Sequence, residues 1–296
     1  MKACLILLSV FLTINCYAQS RGLKDKVSVQ RDIVYETVGE RKLHLDLFQS
    51  KSFRKPQPLV IWVHGGGWKG GTKNLGLVKI AGLLEKGFSV ASVEYRLSGE
   101  AIFPAAVTDC KAAVRFLRAN AKKYNLDPDK FGAWGSSAGG HLVAFLGTSG
   151  DVKEFDVGSN LSVSSRVQAV CDWFGPTDFL KMNDSKLSKM DHLSVNSPES
   201  QFLGGHIVKI PETVKKANPV TYVTKDDPPF SIMHGDIDST VIYSQSEILE
   251  SALKKVGVAV VLHKIEGQGH GFRGEAGKKT LDMVVEFFSK TLGESK

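Results

Sequence analysis

The run Lys130–Leu142, KFGAWGSSAGGHL, places a narrow demand on the backbone. Phe131–Trp134 reads as a short apolar strand, and Ala138–Leu146 reads as the opening of a helix. Between them Gly135-Ser136-Ser137-Ala138-Gly139 fits G-x-S-x-G, with Ser137 at the centre. A serine at a strand-to-helix turn sits on a tight bend. Its neighbours two residues away must be small, because strand and helix nearly touch there. Gly135 and Gly139 meet that demand, and Gly140 adds room. Such a bend lifts Ser137 Oγ above the sheet edge, where a helix N-terminus favours developing negative charge. The chain carries 29 glycines, so a Gly/Ser-rich turn could also arise by chance, and the context has to decide.

That context is an alternation. Asp32–Thr37 and Lys42–Phe48 are strand-type runs around Gly39-Glu40, a hairpin signal. Apolar strands follow at Leu59–Val63, Phe88–Tyr95, Phe131–Trp134 and Arg166–Phe174. Helical spacing separates them at Leu75–Leu84, Pro104–Ala121 and Ala138–Leu146. Strand alternating with helix predicts a mostly parallel sheet with helices on both faces, preceded by an antiparallel hairpin. Pro176–Asp227 breaks the rhythm. It is polar, with a loop-like run over Asn183–Ser200 and a helical piece at Pro211–Lys216. We read positions 176–227 as an insertion at the carboxyl edge of the sheet within one domain covering positions 19–296. Pro229–His234, Tyr243–Val256, Ala259–Ile265 and Lys278–Leu292 resume as strand, helix, strand and helix.

Met1-Lys2, the apolar run Ala3–Ile14 and Cys16-Tyr17-Ala18 predict a secretory signal peptide with cleavage after Ala18, and hence a secreted or periplasmic protein. A lipoprotein would use Cys16, but Thr13-Ile14-Asn15 is a poor match to the small residues that such processing prefers. No run is long enough to span a bilayer. Cleavage would leave Cys110 and Cys171, both in apolar surroundings and expected to be buried free thiols. The formal charge of +7 comes from scattered basic residues, which argues against nucleic-acid binding.

A serine near neutral pH needs a base, and the base an orienting acid. Both belong in loops at the carboxyl ends of later strands. His270 lies between glycines in Gly267–Phe272, after the last strand. His64, His141, His192, His206 and His263 fit that place less well, and His64 reads as a brace for its own loop. For the acid, Asp236 and Asp238 follow Pro229–His234. We prefer Asp238 and read Asp236 as a turn or capping residue. Ser, Asp, His is the chain order of an α/β-hydrolase. His64-Gly65-Gly66-Gly67 ends a strand, and two of its amides with that of Ala138 could hold an oxyanion; a phosphate-binding loop would need G-x-G-x-x-G spacing. Trp68, Trp173 and Phe174 could line an acyl pocket or simply pack the core. No HExxH or CxxC spacing appears, and neither metal nor organic cofactor is expected.

With these residues in view, the chain resembles the α/β-hydrolase esterases of the branch near hormone-sensitive lipase, in particular bacterial feruloyl and acetylxylan esterase-like hydrolases. The resemblance runs from about Asp32 to the C-terminus. It is carried by HGGGW at His64–Trp68, YRLS at Tyr95–Ser98, GSSAGGHL at Gly135–Leu142 and DWFGPTDF at Asp172–Phe179. SPESQFLGG at Ser197–Gly205, HGDIDSTV at His234–Val241 and GQGHGF at Gly267–Phe272 add to it. By position it implies Ser137 as nucleophile, Asp238 as acid and His270 as base, with oxyanion amides at Gly66, Gly67 and Ala138. One departure is Ser239–Ile242, where relatives often carry prolines. The implied activity is hydrolysis of carboxylic esters, either small molecules or acetyl and feruloyl groups on plant polysaccharides. A short-acyl amidase such as a formamidase could use the same residues. A non-catalytic hydrolase fold used for binding typically loses the serine or histidine, and here all three positions are filled.

Overall fold

The computed structural model describes residues 25–293. The leader expected at Met1–Ala18, with Cys16, lies outside them. The described chain opens with β1 (Val27–Val38), β2 (Arg41–Ser50) and β3 (Gln57–Val63). Then come α1 (Leu77–Glu85), β4 (Ser89–Val93), α2 (Ala105–Ala119), β5 (Leu126–Ser136), α3 (Ala138–Thr148) and β6 (Ala169–Trp173). Two short helices, α4 (Pro198–Leu203) and α5 (Pro211–Ala217), precede β7 (Phe230–Gly235). The chain closes with α6 (Ser244–Lys255), β8 (Val260–Ile265) and α7 (Gly274–Leu292).

The eight strands form one sheet in the order β1-β2-β4-β3-β5-β6-β7-β8. The β1/β2 and β2/β4 pairs are antiparallel, and all later pairs are parallel. Central strands covered on both faces have no polar side to show, which is why β3 reads as an unbroken apolar run. Side chains still alternate. Leu59, Ile61 and Val63 face one apolar layer, while Val60 and Trp62 face the other. The first layer receives α2, α3 and α6; the second receives α1 and α7. Among the described residues, no helix is long and apolar enough to cross a membrane. Cys110 and Cys171 are free and buried.

Several bounds differ from the sequence reading: β1 and β5 each begin five residues earlier than the runs read as strands, at Val27 and Leu126, and β6 begins at Ala169 rather than Arg166. The closing helix begins at Gly274, one turn before Lys278, because Gly274-Glu275-Ala276-Gly277 carries no large apolar residue to announce it. Within positions 176–227, α4 begins inside the loop-like run Asn183–Ser200 and continues past it to Leu203. It is a single short turn-and-a-half, capped by Ser197 Oγ accepting from the Ser200 amide at 3.0 Å and started by Pro198. Its buried Phe202 and Leu203 are too few to set up a period. Pro198 and Glu199 of α4 line a cavity with Ser136, Ser137 and Phe174, at the carboxyl ends of β5 and β6.

Candidate active site

The elbow takes the expected form. β5 ends at Ser136, α3 begins at Ala138, and Ser137 between them has φ 56° and ψ −124°. For a residue with a side chain that backbone costs on the order of 1–3 kcal/mol and persists only when its surroundings enforce it. Here the Ser137 amide donates to Trp173 O at 2.9 Å, and Ser137 O accepts from the His141 amide at 3.0 Å. The crossing leaves no space for side chains. A Cβ on Gly135 would stand 2.2 Å from Gly139 O, and one on Gly139 would stand 2.2 Å from Val63 O.

The structure brings three sequence-distant residues together. His270 Nε2 lies 2.8 Å from Ser137 Oγ, and its Nδ1 lies 2.7 Å from Asp238 Oδ2. A carboxylate facing Nδ1 selects the tautomer with a proton there, which leaves Nε2 free to accept from the serine hydroxyl. Asp238 is buried, and its other oxygen, Oδ1, accepts from the Thr240 and Val241 amides at 2.8 and 3.0 Å. Burial works against its charge. Hydrogen bonds from His234, His270 and the Thr240 amide outweigh that and hold the carboxyl well below the ordinary range. Asp236, by contrast, accepts from the Gly267 amide at 2.7 Å, and no hydrogen bond joins it to His270 among the described residues.

Gly66 and Gly67, with φ 118° and 58°, face Ser137 and Ala138 across a cavity of about 500 Å³. Among the described residues, neither glycine amide has an acceptor, and the amide of Ala138 opens α3. All three donors are therefore available to an incoming oxyanion. His64 stands behind this loop. Its ring stacks on Tyr95 at 4.4 Å, its Nδ1 donates to Gly65 O at 2.8 Å, and Tyr95 Oη donates to His64 O at 3.0 Å. His141 is buried under the loop, where Trp68 Nε1 donates to its Nδ1 at 3.3 Å and its Nε2 donates to Ala217 O at 2.8 Å. Burial pushes its pKa down to about 4, so it stays neutral near pH 7.

The three aromatic residues separate. Trp68 and Phe174 line the cavity, and the Phe174 ring lies 4.8 Å from that of His270. Trp173 packs in the core between Trp134 and Phe272. Sequence reasoning missed His234 and Glu199 near the site, and it weighed His192 only as a base. His234 is buried and donates through Nε2 to Val241 O at 2.8 Å, bracing the loop that carries Asp238. His192 and Glu199 lie in the cavity wall, their side chains paired at 2.9 Å. A histidine at the end of a strand signals nothing by itself. The SPES run around Glu199 is a capping signal, and it gave no hint that the glutamate turns inward.

Residues 45–253 match the BD-FAE family model. A truncated carbohydrate esterase from gut microbiota superimposes with a TM-score of 0.81 and 32% identity, covering 90% of this chain and 97% of that one. A bifunctional GH43-CE protein of Bacteroides eggerthii superimposes with a TM-score of 0.80 and 34% identity, over 90% of this chain and 35% of that one. The esterase LipQ of Mycobacterium tuberculosis is 29% identical over 268 residues, 88% of this chain. The chain spans 61% of that relative's length. With the sheet order, the elbow and this match over most of its length, the chain belongs to the BD-FAE family and has the α/β-hydrolase fold.

Proposed function

We propose that the protein is a serine hydrolase of carboxylic esters. The single observation that carries this is His270 bridging Ser137 Oγ and Asp238 Oδ2 at 2.8 and 2.7 Å. In this reading Ser137 Oγ attacks the ester carbonyl carbon while His270 Nε2 takes its proton. The carbonyl oxygen becomes an oxyanion held by the amides of Gly66, Gly67 and Ala138. Collapse breaks the bond to the alkoxy oxygen, which leaves with the proton from Nε2. Water then attacks the acyl-enzyme by the same route and releases the acid. Asp238 remains ionised throughout and keeps the imidazole oriented.

The substrate class in this proposal is acyl groups on carbohydrate, acetyl or feruloyl. Two solved relatives described as carbohydrate esterases support it, and the apolar wall of Trp68, Phe174 and Met190 suits an acyl group. The leader expected at Met1–Ala18 would export the protein to where such polymers are met. The test is turnover of the purified protein on short-chain, long-chain, acetyl-xylan and feruloyl esters, with Ser137→Ala and Ser136→Ala beside it. Ser137→Ala should lose roughly 10⁴-fold or more in kcat with its fold intact, and Ser136→Ala should lose little. A dead Ser136→Ala beside an active Ser137→Ala would show that the nucleophile is misassigned.

A further inference from the structure

The His192–Glu199 pair stands in the cavity wall without touching Ser137, His270 or Asp238, and its hydrogen bonds lead to the acid. His192 Nε2 lies 2.8 Å from Thr240 O, and its Nδ1 lies 2.9 Å from Glu199 Oε1. A carbonyl oxygen can only accept, so Nε2 carries a proton. An ionised Glu199 requires one on Nδ1 as well. Both side chains are buried, at 2% and 3% exposure, and the second Glu199 oxygen, Oε2, has no hydrogen-bond partner among the described residues. The next links lie in the Asp238 loop, where the amides of Thr240 and Val241 donate to Asp238 Oδ1. A second tie runs alongside, from the Lys189 amide to Ser239 O at 3.0 Å. Residues from the 176–227 segment thus grip the loop at consecutive carbonyls, directly behind the carboxylate that meets His270.

We propose that His192, held doubly protonated by Glu199, is a positioning residue: it fixes the Thr240 carbonyl and thereby the two amides that aim Asp238 at His270. This inference rests on the serine-hydrolase reading above. It gives the grip a pH dependence. When His192 loses a proton, the Glu199 carboxylate retains the one on Nδ1, and Thr240 O loses its donor. The titratable groups that bear on this are Glu199 from α4, Asp191 next in the chain, Asp238 behind Thr240 and His270 across the cavity. Burial works against a charge on His192, but hydrogen bonding to Glu199 outweighs it and holds the His192 pKa above its usual value. Glu199→Gln removes the dependence. The amide donates to Nδ1, which selects the neutral tautomer with Nε2–H and keeps the bond to Thr240 O at every pH.

The experiment measures kcat, KM and melting temperature of the full protein on one short-chain ester, for wild type, His192→Phe, Glu199→Ala and Glu199→Gln, with Ser137→Ala as control. His192→Phe and Glu199→Ala should lose about tenfold or more in kcat with KM within about twofold, the scale expected when a catalytic group is misplaced by less than 1 Å. Glu199→Gln should keep wild-type kcat within about twofold near pH 7, and its ratio to wild type should rise as pH increases to about 9.5. If His192→Phe and Glu199→Ala melt lower but turn over normally below melting, the pair is only structural and the proposal falls. It falls equally if the Glu199→Gln ratio does not change with pH, or if Glu199→Gln is as impaired as Glu199→Ala. An inactive Ser137→Ala beside unaffected pair variants overturns this inference alone, whereas an active Ser137→Ala overturns the reading beneath it.

Discussion

Asp236 and Asp238 stand two positions apart on one loop, and their partners distinguish them. Asp236 serves an amide of the neighbouring turn, Gly267 N at 2.7 Å, and is half-buried. Asp238 is buried, takes two amides on one oxygen and His270 on the other. Asp238→Asn would leave the hydrogen-bonding shape but present an amide to Nδ1, reversing the tautomer that Nε2 needs; loss of this kind costs about 10⁴ in turnover in a related triad. We expect Asp238→Asn to lose about a thousandfold or more in kcat. Asp236→Asn should lose about tenfold or less and act mainly on stability, as a turn residue does. Steady-state kinetics and melting curves of the two variants decide it, and a crippled Asp236→Asn beside a near-normal Asp238→Asn sinks the assignment. This distinction was partly legible in the sequence, because a carboxylate directly after a strand tends to serve its own turn. The bracing by His234 was not, since its partner Val241 comes into reach only once the loop has curled back on β7.

At the scale of elements, the strand-turn-helix unit was the most legible part, because its demand is local: small residues on both sides of one serine. What the unit leans on was not. Asp172, next to last in β6, lies beside the elbow, with Oδ1 accepting from the Gly175 amide at 2.9 Å and Oδ2 without a partner among the described residues. Complete burial pushes its carboxyl up to about 7. The unfolded chain ionises this group near pH 3.9. Between about 4 and 7 the unfolded state therefore has fewer protons than the folded state, and stability falls as pH rises. The stabilisation is complete below the unfolded value and is lost through the folded one. At about 1.36 kcal/mol per pH unit, the span is on the order of 4 kcal/mol. Asp172→Asn removes the titration while keeping an oxygen for Gly175. Its melting temperature relative to wild type should therefore climb from pH 4.5 to pH 8, a range set by those two values. A difference that stays constant with pH would mean that Asp172 is ionised in the folded protein.

Across the whole molecule, the frame was readable and the site's walls were not. The alternation of apolar strands and helices encodes the sheet directly, since each strand announces itself over a handful of consecutive residues. The cavity is assembled from the glycine loop, the elbow, two late loops and the 176–227 segment, and no short window of sequence contains their meeting. Trp68 is the clearest case, because it joins three of those pieces. Its ring stacks on Phe202 of α4 at 4.7 Å and meets Phe179 edge-on at 5.3 Å, while its indole nitrogen donates to His141 of α3. Being almost wholly buried, it fixes the glycine loop against both the helix after the elbow and the segment above it. Trp68→Ala should cost about 3–5 kcal/mol, the usual loss for a buried aromatic cut to alanine. It should also lower kcat, because the amides of Gly66 and Gly67 are adjacent. Trp68→Phe keeps a ring against Phe202 but leaves His141 Nδ1 buried without a donor, a loss of about 1–3 kcal/mol. That variant should retain much more of kcat than Trp68→Ala at the same distance below its melting point. Denaturant unfolding with steady-state kinetics on both variants separates packing from placement: a Trp68→Ala protein that is destabilised as expected yet turns over normally would show that the glycine loop holds its amides without Trp68.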